Sequence, residues 1–254
     1  MKDGQKILLE AAGLTKCYED GLLALDHLDL RVGEGEIFCL LGANGAGKTT
    51  AINLFLNLID PTEGVARING IDVAKQPLDA KRYVSFVSEK VSLYENFSAL
   101  QNLRYFAMLG GVRNLSREEG LRVLMRVGLE ESAIDQRVRN FSKGMVQKLG
   151  IAVAMVKDAP VILLDEPTTG LDPKAAAELL DLLREFRNAG KAVFMSTHDI
   201  FRAREIADRV GIMKEGKLVS VMDRSTLARE DLEKIYLDYM REGDRTNRPI
   251  GEGH

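Results

Sequence analysis

Short apolar runs separated by turn residues characterise the start of the chain. The runs ILLEAAGLTKCY, ALDHLDLRV and GEIFCLLG each have the length and the flanking residues of a strand, and the pair Asn69-Gly70 marks a later turn. The third run ends in a glycine-rich loop, which leads directly into TTAINLFLNLI, a segment with helical periodicity. The pattern therefore predicts a series of strands, the third of which is followed by a turn and a helix.

The sequence becomes helical in character between about residues 97 and 157. Ser98 with Gln101, and Ser116 with Glu119, have the spacing of a capping box, in which two side chains satisfy two amides at the start of a helix. We therefore predict an inserted helical subdomain over this range.

Buried strands and helices alternate in the next part of the chain. After Pro160, VILLD is a continuous apolar run of the kind found in parallel sheets, and AVFMST is a second such run. Between them a helix is predicted to begin at Pro173, with Asp172 as its N-cap, and to end at Gly190. This alternation favours an α/β core with a mainly parallel sheet.

The sequence from about Arg224 onward is charged. DLEKIYLDYMREG has the pattern of one amphipathic helix, and the polar composition after it predicts a disordered tail. We therefore predict one domain over 1–227, with core segments at about 1–96 and 158–227, and a C-terminal helix and tail over 228–254.

Composition and charge narrow the class of protein. The chain has 254 residues, with 35 Lys and Arg against 38 Asp and Glu, so no excess of positive charge favours a nucleic-acid partner. Its apolar runs are far shorter than the ~20 residues that cross a bilayer, and its N-terminus does not resemble a signal peptide. Two cysteines, Cys17 and Cys39, are too few for a disulfide framework. These features predict a cytoplasmic location.

Residues 42–49 match the pattern G-x-x-x-x-G-K-[ST], a loop whose backbone N–H groups surround phosphate oxygens. Glycines are needed because Cβ atoms would obstruct the approach of the phosphates. Lys48 supplies a positive charge for the β- and γ-phosphates, Thr49 offers a hydroxyl to Mg²⁺, and the following helix presents its positive end. Because a strand precedes the loop and a helix follows it, the sequence predicts binding and hydrolysis of ATP, with Mg²⁺ as cofactor.

A pair of carboxylates follows the buried strand VILLD. Asp165 closes the strand, where it is well placed to hold Mg²⁺, and Glu166 comes next, where it can reach an attacking water. An Asp-Glu pair at a strand end also occurs for purely structural reasons. The presence of the phosphate loop in the same chain favours the catalytic interpretation.

These motifs together resemble those of ABC-type ATPases, from the start of the chain to about Leu227. FSKGM at 141–145 stands where the family has its LSGGQ signature, and VQKLGIAVAMVKDAPVILLDEPTTGLDP resembles the stretch that follows. His198, in the run STHD, stands where the family has its switch histidine. The resemblance implies a P-loop NTPase (RecA-like) α/β core, an N-terminal antiparallel β-subdomain and an inserted α-helical subdomain.

The resemblance also implies a role for each motif. In the family two subunits pair head to tail, and a serine and a glycine of one signature close on the γ-phosphate held by the other; Ser142 and Gly144 match them. His198 would contact the γ-phosphate and orient water, with Glu166 as general base. Tyr18 matches the aromatic residue that stacks on adenine. The residues expected to contact the nucleotide are Tyr18, Gly42, Asn44, Gly45, Ala46, Gly47, Lys48, Thr49, Thr50, Ser142 and Gly144.

Ser142, His198 and Tyr18 each have a simpler interpretation when taken alone. Ser142 can be an ordinary helix cap, His198 a packing residue after a strand, and Tyr18 a surface aromatic. Their order along one chain favours the functional interpretation.

Glu89 departs from the family pattern, because it stands where the Q-loop has a glutamine. The sequence predicts metal contacts from Thr49, Asp165 and Glu89, but a carboxylate at the last position would both attract Mg²⁺ and repel phosphate. At about 4 Å and a dielectric of about 20, each term is about 4 kcal/mol with opposite sign, so the balance stays open. Glu89 can instead face solvent or a membrane partner.

The signature also departs from the family, with Lys143 and Met145 at two of its positions. The form SKGM, with a glutamine shortly after it and a glutamate at the Q-loop position, resembles the ABC-2 subgroup. This resemblance favours export over import.

Two expected partners and two rival hypotheses follow from these interpretations. The resemblance implies a second ABC ATPase subunit, expected to be an identical copy, and separate integral membrane permease subunits at the cytoplasmic face of the membrane. Phe97, Leu100, Tyr105 and Phe106 are candidate walls of a permease-docking groove, and they can equally be subdomain core. The rival hypotheses are a soluble ABC protein of translation or DNA repair and a regulatory partner that binds ATP without hydrolysing it. The cargo is not predicted.

Overall fold

The computed structural model describes residues 4–244, and describes side chains as far as Arg241. Its strands are β1 (Ile7–Cys17), β2 (Leu23–Gly33), β3 (Ile37–Gly42), β4 (Glu63–Ile68), β5 (Ile71–Asp72), β6 (Val84–Val87), β7 (Val161–Asp165), β8 (Ala192–Thr197), β9 (Arg209–Lys214) and β10 (Lys217–Asp223). Its α-helices are α1 (Lys48–Phe55), α2 (Pro77–Lys81), α3 (Ala99–Leu109), α4 (Arg117–Arg126), α5 (Glu131–Ile134), α6 (Lys143–Lys157), α7 (Pro173–Asn188), α8 (Ile200–Ile206), α9 (Arg224–Arg229) and α10 (Leu232–Asp244), and a short 3₁₀ helix spans Val138–Asn140.

Two sheets organise these elements. The first is antiparallel with strand order β2-β1-β4-β5. The second has the order β10-β9-β3-β8-β7-β6, in which every neighbouring pair is parallel except β9 and β10. The predicted α/β core with a mainly parallel sheet, together with the N-terminal antiparallel sheet, is confirmed.

Burial on both faces explains the continuous apolar runs of the central strands. All residues of β3, β7 and β8 are buried. One face of the sheet packs on α1 and on the antiparallel sheet, where the rings of Phe38 and Phe194 stack at 6.0 Å and Phe55 meets Phe194 at 5.9 Å. The other face is covered by helices that include α6, α7 and α10. The parallel sheet is therefore the middle layer of the molecule.

The parallel arrangement gathers the ends of three strands at one edge of the sheet. The register pairs Asp165 at the end of β7 with Ser196 in β8, and pairs Leu41 in β3 with Thr197 in β8. The loops that leave β3, β7 and β8 therefore start side by side, although they are far apart in the sequence.

The helix after the phosphate loop is shorter than the sequence predicts. The apolar pattern extends to Ile59, whereas α1 ends at Phe55. Asn57 adopts a left-handed backbone with φ 51°. Asparagine tolerates this conformation better than most residues, which explains why the helix stops before its apolar pattern does.

Both predicted capping boxes are present at the starts of α3 and α4. Ser98 Oγ accepts from Gln101 N at 3.2 Å, and Gln101 Oε1 accepts from Ser98 N at 2.9 Å. Ser116 and Glu119 exchange the equivalent pair of bonds at 3.1 and 2.9 Å. The helices α3 to α6 lie within the range predicted as an inserted subdomain, and that division of the chain stays a prediction.

The last part of the described chain contains elements that the sequence patterns did not predict. The strands β9 and β10 form a hairpin, and α9 spans the predicted boundary after Leu227. The amphipathic helix was predicted and is present as α10. The predicted tail from 245 to 254 lies outside the described residues. Over residues 4–244, no helix has the length and apolarity needed to cross a membrane.

Candidate functional site

The loop between β3 and α1 is packed backbone to backbone against its surroundings. Gly47 precedes α1 with φ 104°, and a Cβ built on it would lie 2.4 Å from the carbonyl oxygen of Ala24. A Cβ on Gly42 would lie 2.6 Å from the carbonyl oxygen of Met213. A Cβ on Gly45, with φ 82°, would meet no atom within 4 Å, so this glycine is required by its backbone conformation.

Lys48 points its buried ammonium into this loop. Nζ donates to the carbonyl oxygens of Gly42 and Ala43 at 2.8 and 3.1 Å. It also lies 3.2 Å from Oε1 of Glu166. The side chain is 5% exposed, so its charge acts in a poorly hydrated place where electrostatic contacts are strong.

Asp165 is held by two hydroxyl groups. Thr49 Oγ1 donates to Oδ2 at 3.0 Å, and Ser196 Oγ donates to Oδ1. A hydroxyl beside a carboxylate is a set of hard oxygen ligands of the kind that Mg²⁺ prefers. No cluster of three or more His, Cys, Asp or Glu side chains suited to a metal occurs in the described part of the chain. The residues therefore fit a magnesium ion that takes its remaining ligands from phosphate and water.

Glu166 is the point at which the other parts of the site meet. Its backbone has the left-handed φ of 47°, and its amide donates to Ser196 Oγ at 3.0 Å. Its Oε2 lies 2.9 Å from His198 Nδ1 and accepts from Thr169 Oγ1 at 3.3 Å. Its Oε1 is buried and accepts no hydrogen bond from the described residues, although Lys48 Nζ lies close. One carboxylate oxygen is thus fixed by neighbours, and the other retains its capacity to accept a proton.

An open cavity of about 460 Å³ lies over the loop. Its lining residues are Tyr18, Leu22, Leu23, Ala24, Asn44, Gly45, Gly47, Lys48, Thr49, Thr50, Glu89, Glu166, Glu215 and Gly216. Gly42 and Ala46 belong to the loop but do not line the cavity, and Asp165 and His198 join it through Thr49 and Glu166. Glu89 is half-buried at its edge.

Tyr18 follows the end of β1 and is half-buried beside the cavity. Lys16 Nζ lies 5.3 Å from the centre of its ring. Leu22 and Leu23, from the turn into β2, add apolar surface to the same side of the cavity. This side is suited to a flat aromatic group such as a nucleobase.

Ser142 and Gly144 lie away from this cavity, at the start of α6. Ser142 Oγ caps the helix by accepting from Met145 N at 3.3 Å, and Ser142 is exposed. The nearest atom to a Cβ built on Gly144 would be Ala175 Cβ, at 3.5 Å. The cavity and the signature of one chain therefore do not form a single site.

Sequence reasoning missed several residues of the site. Ser196 is fully buried and contacts both Asp165 and Glu166, and its only signal was its place two residues before His198. Thr169 lies in the run TTGLDP, which contributes to the family resemblance, but the sequence indicated no separate role for this residue. Glu215 and Gly216 come from the hairpin that the sequence patterns did not predict.

A groove of about 200 Å³ lies between β6, the segment after it and α6. Its lining residues are Phe86, Val87, Ser88, Val91, Ser92, Leu93, Phe106, Gly150 and Val153. Of the four candidate wall residues, Phe106 lines the groove, whereas Phe97 and Tyr105 pack against Tyr94 at 5.1 and 4.9 Å. Leu100 is 3% exposed and belongs to the core, which is the second of the two interpretations that the sequence left open for it.

A second, larger cavity of about 620 Å³ lies at the opposite edge of the parallel sheet. Four of its charged lining residues form two ion pairs: Arg209 Nη1 donates to Glu36 Oε1 at 3.0 Å, and Arg224 Nη1 lies 3.6 Å from Asp208 Oδ1. It lacks a phosphate-binding loop, so the smaller cavity is the better candidate site.

Comparisons with known proteins agree with this geometry. The family described as ABC transporter matches residues 25–169. The uncharacterized ABC transporter ATP-binding protein YhcH of Bacillus subtilis (strain 168) is 35% identical over 86% of this chain and 70% of its own length. The daunorubicin/doxorubicin resistance ATP-binding protein DrrA of Streptomyces peucetius is 34% identical, over 84% of this chain and 64% of its own length. The lantibiotic transport ATP-binding protein SrtF of Streptococcus pyogenes is 31% identical, over 90% and 96% respectively.

Solved structures that resemble most of this fold include two ABC ATPase subunits. An ATP-binding subunit of an ABC transporter has a TM-score of 0.80 at 30% identity, over 92% of this chain and 99% of the other. The dimeric, post-hydrolysis ATP-binding cassette MJ0796 bound to ADP and Pi has a TM-score of 0.78 at 29% identity, over 85% and 99%.

Proposed function

The chain belongs to the family of ABC transporter ATP-binding subunits, and from this premise we propose that it drives export through separate membrane-spanning subunits by hydrolysing ATP between two paired copies. The chain is an ATPase of the ABC type. The observation that carries the proposal is the position of Glu166, which contacts Lys48 on one side and His198 on the other. A carboxylate so placed can act on a water molecule beside the terminal phosphate.

The phosphate loop is proposed to bind the triphosphate through its backbone amides and Lys48. The ammonium of Lys48 would exchange its present carbonyl and carboxylate contacts for the β- and γ-phosphates. Thr49 and Asp165 would hold Mg²⁺, which neutralises phosphate charge when bound. Asn44 and Thr50 line the same cavity and would complete the polar lining around the phosphates.

Glu166 is proposed as the general base and His198 as the residue that orients it. Nδ1 of His198 and the hydroxyl of Thr169 fix Oε2, which leaves Oε1 to accept the proton of the attacking water. Ser196 supports this arrangement, because its hydroxyl accepts from the Glu166 amide and donates to Asp165. The geometry thereby keeps the base next to the metal-binding carboxylate.

Each site is proposed to be completed by a second subunit. Ser142, Gly144 and the first amides of α6 form an exposed helix start outside the chain's own cavity. A hydroxyl, a backbone without a Cβ and a helix N-terminus together suit an anion, here the γ-phosphate bound by the partner. The dimeric state of the similar cassette MJ0796 supports this arrangement. Pairing of two identical copies is the simplest form of it.

Substitution of Glu89 distinguishes its two interpretations, as a metal ligand or as a residue that faces solvent or a membrane partner. If Glu89 approaches the metal, Glu89→Gln weakens Mg²⁺ binding, and the Mg²⁺ concentration for half-maximal turnover rises by about twofold to fivefold. The measurement is ATP turnover against Mg²⁺ at fixed ATP. Glu95→Gln, an exposed carboxylate in the same segment, is the matched control. An equal response in the two variants would assign Glu89 to solvent or to a partner.

Export is supported by the relatives, two of which are named for drug resistance and lantibiotic transport. The chain spans 64% of the length of DrrA, which is less than two thirds. The activity of DrrA as a whole protein therefore comes to this chain only as a proposal. The groove beside Glu89 is proposed as the surface where a permease segment docks, with Phe86 and Phe106 as its aromatic walls. The subunit would then act at the cytoplasmic face of the membrane.

Purification of tagged chain from its native membrane tests the transporter proposal. We expect a protein with several membrane-spanning helices to co-purify, and we expect Phe106→Glu to reduce its recovery. Val65→Glu, a half-buried change on the distant antiparallel sheet, is the control for general effects. Recovery of the chain with no membrane protein would favour a soluble ABC ATPase instead.

A further inference from the structure

The C-terminal helix α10 is attached to the end of β9 by one lysine. Lys214 Nζ donates to the carbonyl oxygens of Tyr239, at 2.6 Å, and Met240, at 3.1 Å. A positive charge near the carboxyl end of a helix is favoured by the helix dipole. Apolar contacts add to the attachment, because Leu232 is 1% exposed and Tyr236 packs on the core.

Lys214 immediately precedes a turn that contacts the phosphate loop. Glu215 and Gly216 form this turn between β9 and β10, and both line the nucleotide cavity. The amide of Gly216 donates to the carbonyl oxygen of Ala46 at 3.0 Å, and its own carbonyl oxygen accepts from the Asp26 amide at 2.9 Å. The hydrogen bonds of Lys214 to α10 and of Gly216 to the loop are therefore joined by a short stretch of backbone through Glu215.

Close packing leaves little freedom between this hairpin and the loop. A Cβ on Gly47 would lie 2.8 Å from Met213 Cε and 3.4 Å from Gly216 Cα, and a Cβ on Gly42 would lie 2.6 Å from the Met213 carbonyl oxygen. Met213 lies in β9 just before the turn, and Gly216 belongs to the turn itself. A shift of the hairpin would therefore have to move the loop, because densely packed backbone transmits displacement.

We propose that Lys214 is a positioning residue for ATP binding, which holds the phosphate loop in place by fixing the hairpin to α10. This inference rests on the proposed function of that loop as the ATP site. Coupling between two sites is reciprocal. If docking of α10 favours ATP binding, then ATP must favour docking of α10 to the same extent.

Lys157 offers a matched control for this contact. Its Nζ donates to the carbonyl oxygens of Lys81 and Val84 at 2.8 and 2.6 Å, beside the end of α2. Lys157 is half-buried, as Lys214 is, and its carbonyl partners lie outside the nucleotide cavity and the phosphate loop. Substitution of either lysine removes two hydrogen bonds from an ammonium to backbone carbonyl oxygens. Of the two lysines, Lys214 is the one that adjoins the turn in contact with the phosphate loop.

The first test compares ATP affinity and turnover in Lys214→Met, Lys214→Arg and Lys157→Met. We expect Lys214→Met to raise the Kd and the KM for ATP about fivefold or more, with kcat at saturating ATP retained. We expect Lys214→Arg, which keeps the charge, to recover most of the affinity, and Lys157→Met to bind ATP as the unchanged protein does. Equal affinities in both methionine variants would overturn the inference and leave the proposed function intact. Failure of the unchanged protein to bind ATP would overturn both.

Hydrogen exchange in the unchanged protein provides a second test that needs no variant. We expect ATP to slow amide exchange in α10, over residues 232–241, as well as in the phosphate loop. Protection of the loop without protection of α10 would overturn the inference, and it would decide the matter even if Lys214→Met does not fold.

Discussion

Replacement of Glu166 by glutamine is expected to reduce ATP turnover by about a hundredfold to ten-thousandfold while ATP still binds. The amide has nearly the same shape, so it can retain the contacts with Thr169 and His198, but it cannot accept a proton at neutral pH. It also removes a negative charge from beside the phosphates, so the affinity for ATP should stay equal or increase. The measurements are steady-state phosphate release and equilibrium nucleotide binding.

Glu185→Gln is a suitable control, because Glu185 forms a surface ion pair with Arg126 outside the nucleotide cavity. Turnover in that variant should match the unchanged protein. If Glu166→Gln also turned over ATP at the unchanged rate, the assignment of the general base would be wrong. The hypothesis of a binding partner without hydrolysis predicts no turnover even in the unchanged protein.

Replacement of Lys48 by alanine is expected to weaken ATP binding by roughly a hundredfold to a thousandfold. The change removes the ammonium that would meet the β- and γ-phosphates. It also leaves Glu166 Oε1 and two loop carbonyl oxygens without their cation, so the negative groups around the cavity repel the nucleotide more strongly. Fluorescent nucleotide titration or calorimetry measures this loss directly.

Lys174→Ala tests whether a general loss of positive charge explains the effect, because Lys174 is 87% exposed on α7. Its affinity for ATP should be unchanged. If Lys48→Ala bound ATP within about twofold of the unchanged protein, the loss of affinity would be smaller than the removal of a charge contact of this kind allows. The triphosphate would then have to bind elsewhere.

Local sequence patterns were sufficient for the parts of the site that are continuous along the chain. The residues from Gly42 to Thr49 form one loop, and a single strand–turn–helix pattern predicted it. Asp165 and Glu166 ended a buried strand, and parallel pairing places that strand's end beside β8. Strand ends in a parallel sheet meet at one edge, so these positions followed from the predicted fold.

Contacts between distant segments were not predictable in this way. Ser196 is joined to Asp165 and Glu166 only because β7 and β8 are neighbours in a particular register, and one isolated serine in a strand carries no signal of that. Gly216 reaches the loop only through the β9–β10 hairpin, which the sequence patterns did not predict. Leu100 illustrates an ambiguity that the sequence leaves open, because its apolar character fits a docking wall and a core equally well until its burial is known.

The phosphate loop is proposed to be half of a site that a second subunit completes. Sedimentation velocity of Glu166→Gln with Mg²⁺ and ATP tests it most directly, because the slowed variant should retain ATP between paired subunits. We predict a species of twice the monomer mass with ATP and a monomer without it. Adding Gly144→Asp should abolish pairing, because its carboxylate would face the γ-phosphate, and a Cβ there would make only ordinary contacts, the nearest with Ala175. If Glu166→Gln stayed monomeric at saturating ATP, the ATP site would not be shared between two subunits.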